Sequence, residues 1–281
     1  AFKNYYQFYG QHKNTYAALL KGNYQELEFL RDIRHYDSAL EMALDEINVS
    51  KEVYENLITS VHEYMDLNVE FQKIKAKILN NMEYHLYDTY VPVVAPPQAH
   101  FTKEQAIEIV KKALSPLQED YLAHFQKILD SHAVDFYPNE SKHSGAYHWG
   151  CFDSPNYVLL NFNGSYDSVS TLAHEFGHAV HSLYSKENNP YIYHGYEIFL
   201  AEIASTVNET LLSFYLLEHA SSNKEKMFYL CEFLDKVKAT IYRQTMFAEF
   251  ESIISEKCQN KESLTEDLIS SVYYQLNEDY F

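Results

Sequence analysis

Positive charge is scarce in this chain: 22 Lys and Arg stand against 40 Asp and Glu in 281 residues, a formal net charge of −18. Such a protein repels nucleic-acid phosphates, which argues against nucleic acid as a partner. In a binding cleft the same field mildly favours cationic peptides. Long apolar runs are also lacking, and no stretch approaches the roughly 20 consecutive apolar residues of a membrane span. No membrane partner is therefore expected, although 46% hydrophobic residues suffice for a large globular core. Cysteine is limited to Cys151, Cys231 and Cys258. An odd number at unrelated spacings does not make a disulfide framework and suggests reduced thiols in a cytoplasmic protein.

Proline is limited to seven residues, three of them in Val91-Pro92-Val93-Val94-Ala95-Pro96-Pro97. A proline denies a helix a backbone donor, so this stretch is the best internal boundary. It divides the chain into a helical part, 1–93, and a core, 94–281. Before it, from Tyr36 to Tyr84, apolar residues recur at three and four (Val53, Leu57, Val61, Tyr64), the pattern of helical hairpins. After it, Thr102 is a candidate N-cap and Ser115-Pro116 a second helix start. Gly145 to Phe162 reads as a β-hairpin turning at Asp153-Ser154-Pro155-Asn156, with an open edge able to hold an extended peptide. Segments 223–254 and 264–280 read as amphipathic helices. The expected fold class is mainly α with a small β-hairpin or sheet. Of 26 tyrosines, Tyr147, Tyr191, Tyr193 and Tyr196 are candidates to line a substrate channel, whereas Tyr5, Tyr6 and Tyr24 are expected in packing.

Chemistry is concentrated in His174-Glu175-Phe176-Gly177-His178. Asn163 to Ser168 supplies a turn and an N-cap, and Val169, Leu172, Ala173, Phe176, Val180 and Leu183 then predict a helix of about 16 residues. Four residues apart on that helix, His174 and His178 face one way, about 6 Å apart along the axis, and can grip one zinc ion. Glu175 can reach a water on that ion without ligating it, the arrangement of a zinc-dependent peptidase. Four of the seven glycines, Gly145, Gly150, Gly164 and Gly195, fall in predicted loops around this segment.

Two histidines leave zinc a protein ligand short if one position is kept for water. A second helix, Phe199 to Phe214, carries Glu202 and Glu209 seven residues apart on one face, flanked by Ala, Ser and Thr rather than Lys or Arg. One can ligate while the other fixes a histidine tautomer. Spacing does not choose between them. His181 also falls on the metal face, but a fourth protein ligand would leave no place for water, so it is expected to pack or to support the site. His143, His148 and His194 are candidates for substrate contact from exposed loops.

The strings Thr171-Leu172-Ala173-His174-Glu175-Phe176-Gly177-His178-Ala179-Val180-His181-Ser182 and Ala201-Glu202-Ile203-Ala204-Ser205-Thr206-Val207-Asn208-Glu209 resemble, in order and separation, the oligoendopeptidase F branch of the thimet oligopeptidase family of zinc metallopeptidases. Further matches run through Ser144 to Tyr147, Tyr87 to Pro92 and Tyr36 to Leu40. The resemblance implies a zincin-like catalytic domain with one zinc ion, held by His174, His178 and Glu202. It implies Glu175 as general base and Glu209 as the partner behind the ligands. Substrate contacts are expected from Gly145, Ala146 and Tyr147 and from His194, Gly195 and Tyr196. The implied activity is hydrolysis of internal bonds in short oligopeptides admitted to a deep channel. In that family a His and several Tyr residues that bind substrate follow the last stretch matched here. The core is therefore expected to be truncated at its C-terminal end. The alternative expectation is a fragment that binds zinc and peptide with little or no turnover.

Overall fold

The computed structural model describes residues 2–81, 83–97 and 100–281. The fold is mainly helical with one small sheet, and it divides into two compact units. The first is built of Ala1–Val93 and Leu234–Phe281, the second of Val94–Phe233.

The first unit opens with α1 (Phe2–Gly10), α2 (Lys13–Arg34), α3 (Ala39–Glu46), α4 (Lys51–His62) and α5 (Met65–Ile78). The second unit continues with α6 (Lys103–Ala113), a short 3-10 turn at Ser115–Leu117, α7 (Gln118–Asp130), β1 (Val134–Asp135), β2 (Tyr147–Trp149), β3 (Tyr157–Leu159), α8 (Tyr166–Asn188) and α9 (Ile198–Glu218). Helix α10 (Asn223–Val237) begins in the second unit; a π-helical turn at Lys238–Tyr242, α11 (Arg243–Gln259) and α12 (Glu266–Tyr280) belong to the first. No described helix is long and apolar enough to cross a membrane.

The first boundary falls at Val93, within the proline-bearing stretch, but the sequence division at 94–281 differs from the structure in its last part. Residues 234–281 pack with the N-terminal helices. Met246, Leu276 and Tyr280 bury against Val61, and Ile254 and Leu264 bury against Tyr24. Amphipathic periodicity marked these helices without naming the partner of their apolar faces. Tyr24 packs as expected, whereas Tyr5 and Tyr6 are more than half exposed and lie edge to face with each other.

In the second unit the anticipated cap chemistry is present. Thr102 accepts from the Gln105 N–H, and the Gln105 side chain accepts from the Thr102 N–H, opening α6. Ser165 and Ser168 make the same reciprocal box at the start of α8. Helix α8 runs for 23 residues rather than about 16, because it starts at Tyr166, before Val169, and continues through Asn188, beyond Leu183. Strands β2 and β3 form the predicted antiparallel pair, with His148 opposite Val158. The two-residue β1 adds in parallel to β3, giving the order β1-β3-β2 and leaving β2 on an edge.

The core lies where α8 meets its neighbours. Leu172, Phe176, Val180 and Leu212 are fully buried with Val158 and Leu160 of the sheet, and the Phe176 ring lies 4.2 Å from that of Phe125 on α7. Phe125→Ala removes a fully buried ring and should cost about 3–5 kcal/mol, read as a lowered denaturation midpoint at unchanged slope.

Candidate metal centre

Helix α8 presents two faces with different work. Leu172, Phe176, Ala179 and Val180 face the core, while Asp167, Thr171, His174 and His178 recur at i, i+4, i+7 and i+11 along a second face. The histidine Nε2 atoms stand 3.2 Å apart with their rings nearly perpendicular.

Helix α9 lies along α8 and supplies the acids. A Cβ on Gly177 would stand 2.7 Å from the Ser205 Cα and 2.8 Å from the Ala204 carbonyl oxygen, so only glycine permits this approach. One turn away, fully buried Asn208 donates to the Ala173 carbonyl at 2.9 Å, and the Tyr121 hydroxyl of α7 donates to the Asn208 carbonyl at 2.9 Å. These contacts set the register of the two helices.

In that register Glu202 Oε2 lies 3.5 Å from the Nε2 of His174 and 3.5 Å from that of His178. Atoms ligating one tetrahedral ion at about 2.0–2.2 Å stand roughly 3.3–3.6 Å from one another. The donor set of two imidazoles and one carboxylate, with all three ligand atoms within 4.8 Å, therefore fits a zinc-sized cation. Each member is aimed by a neighbour. Glu209 Oε2 lies 3.3 Å from His174 Nδ1, and the Ser170 hydroxyl donates to the other Glu209 oxygen at 3.1 Å. His178 bonds the Ala201 backbone, and the Ser205 hydroxyl donates to Glu202 Oε2 at 2.7 Å.

Electrostatics divide the two histidines. Burial opposes charge on His174, but the bond and negative charge of Glu209 outweigh it, and its pKa is raised. Burial lowers that of His178, with the His174 ring adding to the effect. Glu175 is buried between α8 and the sheet, where burial pushes its carboxyl up to about 6 while the His148 backbone N–H donates to it.

The remaining predicted residues lie around this centre. The His181 ring stacks on Tyr196 at 3.9 Å, outside the three-residue donor set. Tyr196 bonds the Ser182 hydroxyl, and His194 turns its Nδ1 to the Tyr191 carbonyl while its own carbonyl accepts from Ser185. Thus the loop at His194, Gly195 and Tyr196 is tied to α8 at His181, Ser182 and Ser185, within about two turns beyond His178. Gly145 and Ala146 line a cavity beside Thr171, and Tyr147 is half exposed on β2. His148, expected in an exposed loop, is on β2 with its Nε2 buried, and burial lowers its pKa to about 4. Sequence reasoning missed Ser170, Ser205, Asn208 and the Ala201 and His148 backbones as supports. None of these left a signal of its own, since Asn208 lies among Ser205, Thr206, Glu209 and Thr210 in the sequence.

The profile described as Peptidase family M3 matches residues 1–281. Oligopeptidase PepF of Bacillus subtilis is 40% identical over the whole of this chain, which covers 42% of that protein. A crystal structure from Chlamydophila abortus superposes with a TM-score of 0.86 at 38% identity, over 97% of this chain and 46% of the other. Oligoendopeptidase-F from Enterococcus faecium gives 0.72 at 30% identity, over 99% and 43%. The chain thus spans less than half the length of these relatives.

Replacing Gly177 by alanine forces α9 off α8. The expected outcome is a loss of about 1–3 kcal/mol in stability and weaker zinc retention in competition with a chelator; unchanged values in both would show that the helices tolerate the extra carbon.

Proposed function

Because the chain belongs to peptidase family M3, we propose that it carries the metal centre of a zinc metalloendopeptidase that cleaves internal bonds of short oligopeptides. The observation that carries this reading is the spacing of His174, His178 and Glu202, 3.2 to 3.5 Å between ligand atoms, with the Glu175 carboxyl one residue from the first ligand. Its oligopeptide class is supported by the name of the Bacillus subtilis relative, and a cytoplasmic location by an odd number of cysteines at unrelated spacings.

When bound, one zinc ion supplies the charge that polarises a scissile carbonyl and acidifies an attacking water. The protein's own residues do the rest. Glu209 holds His174 at Nδ1, which leaves its Nε2 lone pair for ligation, and Ala201 orients His178 in the same way. Ser205 fixes the carboxylate of Glu202. Glu175 accepts the proton of the attacking water on its carboxylate and passes it to the leaving amine. The His148 N–H steadies that carboxylate, and the neighbouring groups on the open edge of β2 are available to an extended peptide.

A second reading, zinc and peptide binding with little turnover, is favoured by one observation: the chain spans 42% of its Bacillus subtilis relative. Hydrolysis of a quenched peptide by this chain and by a full-length relative, side by side, separates the two.

Glu175→Gln should retain zinc and lower turnover by about two to four orders of magnitude, since the amide cannot take a proton; undiminished turnover would remove it from the role of base. Glu202→Ala should release zinc under mild chelation, whereas Glu209→Ala should weaken retention by about 10- to 100-fold. The opposite order would exchange the roles of the two acids.

A further inference from the structure

A cavity of about 210 Å³ opens beside the metal face of α8, bounded by Gly145 and Ala146, by Asn161, and by Asp167 and Thr171. It is smaller than the roughly 300–1,000 Å³ of a small-molecule site and is sized for a single side chain. Its apolar wall is Leu160 and Phe162, its neutral polar groups are those of Asn161, Asn163, Ser168 and Thr171, and its one charged group is the Asp167 carboxylate. The Asn161 amide nitrogen is already committed to the carbonyls of His143 and Gly145, which leaves its oxygen. The Ser168 hydroxyl is spent on Asn163. Asp167 is exposed, and among the described residues no cation pairs with it.

Position links this cavity to the metal centre. Asp167 and Thr171 continue the line of His174 and His178 toward the start of α8, and Ala146 immediately precedes edge strand β2. Strand β2 packs on α8, and Gly145 and Ala146, which lead into its open edge, line the same cavity as Asp167 and Thr171 of α8. Seven residues separate Asp167 from His174, about 10.5 Å along the axis, and an extended peptide advances about 3.4 Å per residue. A peptide paired antiparallel to β2, the stronger ladder, carries its C-terminal part toward Ala146.

We infer that this cavity is a specificity subsite for a basic side chain, lysine or arginine, two or three residues beyond the cleaved bond, with Asp167 as the residue that recognises it. The inference rests on the metalloendopeptidase reading. An acidic first-turn residue also suits the helix dipole, but that role is served anywhere around the turn, whereas Asp167 faces the cavity in line with the ligands.

The test uses alanine-rich decapeptides carrying lysine, norleucine or glutamate two or three residues after the central bond. Their affinities for zinc-loaded Glu175→Gln protein are measured by fluorescence anisotropy, and cleavage by the unsubstituted protein is mapped by mass spectrometry. Lysine should bind roughly two- to fivefold tighter than norleucine, the range of an exposed ion pair, and glutamate more weakly than either. In the added presence of Asp167→Asn the lysine-to-norleucine ratio should fall to about one, and Asp167→Glu should restore it at equal zinc content. Peptides bound or cut without regard to lysine, or a lysine preference that survives Asp167→Asn, overturn the subsite and leave the metalloendopeptidase reading standing. Peptides neither bound nor cut overturn both.

Discussion

The approach of α8 to α9 at Gly177 is the constraint on which the candidate metal centre depends. Helices usually pack with their axes 8–10 Å apart, the distance being set by the side chains at the contact. Here a missing side chain lets the Ser205 backbone come down on α8, and Asn208 crosses between the same two helices to the Ala173 carbonyl. A carboxylate has little reach, so the position of Glu202 beside two imidazoles is decided by where its helix lies. Gly177, between His174 and His178, makes room for the other helix.

The polar groups around that contact are held by reciprocal bonds rather than left to solvent. Ser170 and His174 share Glu209, Ser205 holds Glu202, and Tyr121 satisfies the Asn208 carbonyl. A buried polar group without a partner costs about 1–3 kcal/mol, so each pair removes a penalty as well as fixing a direction. The result is a set of donor atoms at ligating separations held by hydroxyls, an amide and backbone groups, with Glu202 left half exposed on the open side.

Much of this was legible in the chain where the cause is local. Thr102 and the stretch Asn163 to Ser168 announce helices because a cap bonds its own next turn, and His174 and His178 share a face because helical periodicity puts them there. Contacts between elements were less legible. Nothing in the periodicity of 243–280 says that its apolar face meets Val61 and Tyr24, and nothing around Val134 marks a two-residue strand that exists only by pairing with β3. Ser170 and Ser205 look like any helix serine until the partner helix is in place. Glu202 and Glu209, level by spacing alone, stand apart once distances exist: one approaches both Nε2 atoms and the other approaches Nδ1 of His174.

The candidate ligands and the groups that hold them belong to two consecutive helices joined by nine residues, from Asn189 to Glu197. Bringing Glu202 to His174 closes a loop of 28 residues in the chain, and closure entropy grows only as the logarithm of loop length. The centre is thus a low-contact-order element that can assemble as an αα-hairpin, on a timescale set by local collapse rather than by long-range strand pairing. A cation bound there would act as a short-loop staple: it pins the register of two neighbours and does little to hold distant parts of the chain together.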